Sequence, residues 1–143
     1  MKHLLLLLTL VLALAGFSIS QASVPNPAHV RTSPAYAELL LQRTELESTL
    51  EALLVDYNEA YPKVKELKTE LTLLNAEILR LTAVKPADAG RLTSALGRLM
   101  LRKVELELQY EAMRAQYKDE HPDVKKLKRK IEIYESAIRE ILG

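Results

Sequence analysis

Three groups of side chains in this sequence have the type and spacing to do chemistry. His121 stands between Tyr117 and Pro122, and an imidazole is the usual choice for proton transfer or metal ligation. It has no companions. The other histidines are His3 and His29, far off in sequence, and there is no Cys, whereas a metal site needs three or four converging ligands. His121 therefore reads as a turn residue beside Pro122. Glu45, Glu47 and Glu51, echoed at Glu105, Glu107 and Glu111, offer paired carboxylates. Acid–base work would need an apolar pocket to raise one pKa, and none is implied. A solvated helix face with i,i+4 pairs accounts for them. Lys125, Lys126, Lys128, Arg129 and Lys130, with a fainter copy at Lys63, Lys65 and Lys68, suit acidic polysaccharide or lipid phosphate. Their acidic neighbours balance them, so they read as a solvated face flanking a packed stripe. With no Ser/His/Asp set, thiol or phosphate loop, the expectation is no catalytic residue, no cofactor and no metal.

The elements that carry these residues are helices. Hydrophobic residues make up 48% of the 143 residues but aromatics only 5%, and Leu, Ala, Glu, Lys and Arg fill most of the chain. That is the composition of long helices and coiled coils. No stretch alternates at period two. The formal net charge of +1 gives no reason to expect nucleic acid as a partner. Ser33 and Pro34 suit a helix start. Apolar residues then recur three and four apart, as a coiled-coil seam requires: Leu46, Leu50, Leu53 and Tyr57, then Val64, Leu67, Leu71, Leu74 and Ile78. After a break at Lys85-Pro86-Ala87-Asp88-Ala89-Gly90 the pattern returns at Leu106, Tyr110, Met113 and Tyr117, then Val124, Leu127, Ile131, Tyr134 and Ile138. Helices are expected near 34–57, 62–84, 91–117 and 122–142.

A shift of 60 residues superimposes the two halves without a gap. Leu39/Leu99, Glu45/Glu105, Tyr57/Tyr117, Pro62/Pro122, Val64/Val124, Lys65/Lys125, Leu67/Leu127 and Ile78/Ile138 coincide. Shared Leu richness does not explain matching Tyr, Pro, Val and Lys, so the unit is a tandem repeat. Each unit is either one helix kinked at proline or two helices joined by a short turn at 58–61 and 118–121. An interior proline costs ~3 kcal/mol, and bearing that twice favours the turns. The fold expected is all-α, with about four helices paired as two antiparallel coiled-coil hairpins, 34–84 and 91–143.

Tyr117-Lys118-Asp119-Glu120-His121-Pro122-Asp123-Val124-Lys125-Lys126-Leu127 resembles the Tyr-x-x-x-His-Pro-x-Val-x-x-Leu segment in the periplasmic coiled coils of chain-length determinant and exopolysaccharide transport proteins, the polysaccharide co-polymerases. Tyr57, Tyr61, Pro62 and Val64 form a weaker copy, with Tyr in place of His. The resemblance implies a hairpin tip and a place beside envelope polysaccharide machinery. It extends to the coiled-coil module alone, without the family's membrane base or kinase parts. Tyr57, Pro62, Val64, Tyr117, His121, Pro122 and Val124 are accordingly expected to set turns. Tyr117 and Val124 should pack across theirs, so that removing the Tyr117 ring costs ~2–3 kcal/mol and removing the His121 ring costs little.

Residues 4–15 are apolar, residues 16–22 small and polar, and Ser20-Gln21-Ala22 fits the small-x-small rule, so 1–22 reads as a signal peptide cleaved after Ala22. An uncleaved anchor is the other reading, against which the run is short of the ~20 residues of a span. Residues 23–33, with Pro25 and Pro27, read as a flexible linker. The function expected is that of an exported, periplasmic or secreted structural or interaction module of the cell envelope, paired with a protein partner or with itself through helical faces. A periplasmic helical chaperone or stress sensor is the alternative.

Overall fold

The computed structural model describes residues 27–143. The signal peptide, its cleavage after Ala22 and the first part of the linker lie outside the described residues. The chain forms α1 (Ala28–Arg31), α2 (Pro34–Asp56), α3 (Pro62–Thr82), a 3₁₀ turn (Pro86–Arg91), α4 (Ser94–Arg114) and α5 (Pro122–Leu142), with no strand among the described residues. The helix starts follow from local chemistry. Ser33 Oγ accepts from the Tyr36 N–H at 3.2 Å and Thr93 Oγ1 from the Leu96 N–H at 3.3 Å, each satisfying an orphan donor of the first turn. Pro34, Pro62 and Pro122 occupy first helical positions, where the missing N–H costs nothing. The prolines therefore open new helices and do not kink old ones. The third helix begins at Ser94, not at 91, because Thr93 supplies the cap and the preceding residues form the 3₁₀ turn.

The helices run as two hairpins. Ala35 N–H donates to the Leu92 carbonyl at 3.1 Å and Ser94 Oγ donates to Glu38 Oε1 at 2.5 Å, so α2 and α4 leave from one end. There α3 and α5 return: His29 Nε2 lies 2.8 Å from the Val84 carbonyl, and Arg91 Nη1 donates to the Leu142 carbonyl at 2.7 Å. This end is the base. The interhelix turns at 57–61 and 115–121 stand at the far end, roughly 30 Å away for helices of this length.

One core at the base joins the hairpins. Leu39, Leu74, Leu81, Leu92, Leu96, Met100 and Ile138 are completely or almost completely buried. Of the expected seam, Leu46, Leu67, Leu74, Ile78, Leu106, Val124, Leu127 and Ile138 are buried, while Leu50, Leu53, Leu71, Tyr110, Met113, Ile131 and Tyr134 are half-buried. Tyr57 and Tyr117 are exposed, which corrects their assignment to the seam. Both lie beyond the last residue of their helix, Asp56 and Arg114, where the helical stripe no longer aims a side chain at the core. A second correction concerns 28–33. These residues were expected in a flexible linker, but they form α1 and a capping turn, with Val30 and Ser33 buried.

Helix α4 is central and packs against α2, α3 and α5. Its approach to α2 is close. A Cβ on Gly97 would lie 2.9 Å from Glu38 Cβ and 3.1 Å from the Ala35 Cα and carbonyl oxygen. Glycine is required here for space, since its backbone is ordinary helix.

Candidate functional site

The two turns are built alike. Tyr57 and Tyr117 N–H groups donate to the Leu53 and Met113 carbonyls, Tyr61 and His121 to Asn58 and Lys118, and Lys65 and Lys125 to Tyr61 and His121. The same three bonds thus recur 60 residues apart. Within each turn an aromatic ring lies against the ring four residues on: Tyr57 stacks on Tyr61 with centroids 4.1 Å apart, and Tyr117 sits tilted against His121 at 4.4 Å. His121 is also the cap of α5, its Nδ1 accepting from the Asp123 N–H at 3.2 Å. Val64 and Val124 are buried one turn on. Tyr57, Pro62 and Val64 stand at the first turn, and Tyr117, His121, Pro122 and Val124 at the second. The Tyr117 ring lies against His121, and Tyr117 itself stands beyond the last residue of α4. Lys68 clips the first turn through Glu59 at 2.8 Å, and Arg114 clips the second through Asp119 at 2.9 Å. The Lys68 contact lowers the Glu59 carboxyl from its ordinary value.

A buried charge cluster went unread in the sequence. Lys103 Nζ of α4 lies 2.6 Å from Glu77 Oε1 of α3, 2.8 Å from Glu107 Oε1 and 3.7 Å from Glu135 Oε2 of α5. Arg80 Nη1 donates to Glu135 Oε2 at 2.9 Å. Glu77 and Lys103 are buried, and Glu77 Oε2 has no hydrogen-bond partner. Burial pulls the Lys103 ammonium down, but hydrogen bonds to Glu107 and Glu77 outweigh it and the net shift is upward. Burial likewise pushes the Glu135 carboxyl up, and the Arg80 contact reverses this to a net lowering. Arg80, Glu107 and Glu135 stay partly exposed at the edge of the cluster, and its ion pairs tie α3, α4 and α5 to one another. The signal that could have found it is the place of Lys103 on the apolar arc between Leu99 and Leu106.

The carboxylates once weighed for acid–base chemistry are dispersed. Glu45, Glu51, Glu105 and Glu111 are exposed, and Glu47 pairs with Arg43 at 3.5 Å. The basic residues Lys125, Lys126, Lys128, Arg129 and Lys130 are all exposed, two of them paired within the helix to Asp123 and Glu132. No group of three or more His, Asp or Glu side chains among the described residues can hold a metal ion.

Two kinds of surface remain. A cleft of about 460 Å³ at the base is lined by Arg80, Lys85, Asp88, Arg91 and Arg139. Its cations sit at the carboxyl ends of α3 and α5, where they complement the helix dipoles, and Arg91 is engaged by Asp88 and the Leu142 carbonyl. The outer face of α2 is of another kind. Ala37, Leu41, Thr44, Ser48, Ala52 and Val55 recur three and four apart, all exposed and none charged. Leu41 is 60% and Val55 82% accessible. No protein-family model, curated protein or solved structure matches the chain.

Proposed function

We propose that this chain is a non-catalytic, exported interaction module of the bacterial cell envelope, serving exopolysaccharide export or assembly. The observation that carries the reading is the bare face of α2. A helix held rigidly by a buried core presents an uncharged stripe with two large apolar side chains to solvent, and such faces are where partners dock. The turn string from Tyr117 to Leu127 supports the polysaccharide setting through its resemblance to co-polymerase hairpins. The leader-like residues 1–22 support export. Among the described residues no helix is long and apolar enough to cross a membrane. The other large exposed apolar side chains in helices, Leu79 and Ile133, lie on α3 and α5, so the apolar exposure does not favour a client-holding chaperone.

The test is fractionation of cells that make the chain, with mass spectrometry of its amino terminus, beside measurement of exported polysaccharide when the gene is deleted. Recovery outside the cytoplasm with Ser23 first, together with a changed polysaccharide yield or length, is the expected result. A cytoplasmic chain beginning at Met1 overturns the export reading. Unchanged polysaccharide overturns the link to its export.

A further inference from the structure

The interface that joins the two repeats is half used. Helix α4 turns Leu96, Gly97, Met100, Lys103 and Val104 inward, where it meets α2 and α3 of the first repeat. The 60-residue shift maps these positions onto Tyr36, Ala37, Leu40, Arg43 and Thr44 of α2. Caps and turns superimpose under the same shift, with Ser33 and Thr93 capping alike and the turn hydrogen bonds recurring. The two repeats are therefore locally alike, yet the counterpart face on α2 is partly open: Ala37 and Thr44 are exposed, with Leu41 beside them, while Tyr36, Leu40 and Arg43 are half-buried.

The complementary surface lies on the second repeat. The surface that receives α4 includes Ala35, Glu38, Leu39 and Glu77, with Arg80 one turn further on. The counterparts are Ala95, Arg98, Leu99, Ala137 and Glu140. Of these Ala95, Arg98 and Glu140 are exposed, and Leu99 and Ala137 are half-buried. Beside its uncharged stripe, helix α2 carries the exposed Glu45, Glu47 and Glu51, whereas the second surface presents Arg98 and Glu140, with Arg102 paired to Glu105. Arg43 Nε is buried, lies 3.5 Å from Glu47 Oε1 and makes no hydrogen bond. Its counterpart Lys103 has Glu77 across the joint. Where Glu77 stands in the first repeat the second has Ala137, and one turn on it has Glu140.

We infer that a second copy of this chain docks head to tail, its α2 on the α4–α5 surface of the first, with Arg43 of one copy reaching Glu140 of the other. The inference rests on reading the chain as an interaction module and names the partner. Because the step repeats the relation between the internal repeats, it extends the bundle in one direction and does not close as a two-fold dimer. Thr44 and Ser48 stand where α4 has Val104 and Leu108, and Ala37 where α4 has Gly97. The joint between copies is thus wetter and wider than the internal one, and association is reversible.

Sedimentation velocity of the full chain over a wide concentration range tests this, with Arg43→Glu, Glu140→Arg and the double variant alongside and circular dichroism to confirm that each is folded. The wild type is expected to grow with concentration past the dimer. Each single variant should associate roughly tenfold more weakly, and the double variant should recover. A wild type that stays monomeric, a plateau at the dimer, or a double variant no better than the singles overturns head-to-tail docking. A monomer that still forms adducts with envelope proteins in cells sinks the self-docking alone and leaves the interaction-module reading standing.

Discussion

Nζ of Lys103 lies 2.6 Å from Oε1 of Glu77, tying α4 of the second repeat to α3 of the first. With Glu107 and Glu135 close by, removal of the ammonium leaves three carboxylates facing one another with Arg80 alone to answer them. Breaking one partner of a buried pair costs ~3–5 kcal/mol, whereas replacing both with apolar groups is often neutral. Lys103→Ala is therefore expected to lose about 3 kcal/mol in urea unfolding. Lys103→Met with Glu77→Leu should lose less than the sum of the two single changes.

Gly97 tests the same joint by size. Alanine in a helix gains ~1 kcal/mol over glycine from propensity. Here its Cβ would meet Glu38 Cβ at 2.9 Å and the Ala35 backbone at 3.1 Å, and overpacking costs ~1–3 kcal/mol. Gly97→Ala should thus lower the unfolding midpoint despite the better propensity. The exposed counterpart, Ala37→Ser, should change it little.

The turns call for a revised expectation of Tyr117 and His121. Tyr117 is 46% accessible, and its contact is the His121 ring. His121 in turn caps α5. Loss of a cap costs ~1 kcal/mol, and an aromatic pair contributes ~0.5–1.5 kcal/mol. His121→Ala and Tyr117→Ala should each cost about 1 kcal/mol by thermal unfolding, and His121→Asn should recover much of the cap.

Acid and alkali should loosen the bundle from opposite sides of the charge cluster. The folded Glu135 carboxyl lies below its ordinary value, so its stabilising contribution is present above ~4.3, the unfolded value, and is lost as pH falls through the folded one. The folded Lys103 ammonium lies above its ordinary value. Its contribution is present below ~10.4 and is lost as pH rises through the folded value. Glu70 works against Glu135: burial raises its carboxyl, so stability from that group grows as pH falls. Denaturant midpoints measured across pH should fall at both extremes, and Glu135→Gln should flatten the acid side.

Much of this fold is legible in the residues themselves. Ser33-Pro34, Pro62 and Pro122 mark helix starts because proline fits only there, and the three–four spacing marks the buried stripe of each hairpin. What the spacing hides is a helix with two packed faces. Leu96, Met100 and Val104 are buried in the core that joins the two repeats, beside the stripe sought in sequence at Leu99 and Leu106. Lys103 was lost for a related reason, since a lysine in a charged helix reads as solvated until its partner on another helix is known. Residues 28–33 were misread because Pro25, Pro27 and Pro34 frame them, although Val30 pairs with no linker chemistry. Tyr, Pro and Val recur at the two turns, but only geometry shows which ring meets which.

The outer face of α2, with Leu41 60% and Val55 82% accessible, is proposed as a working surface. A photo-crosslinking residue at Leu41, with the same substitution at exposed Glu132 as control, measures this in living cells. Defined adducts are expected from position 41, to a second copy or to an envelope protein, that are absent or much fewer from position 132. No adduct at 41 at any expression level, or adducts only to cytosolic proteins, would contradict it.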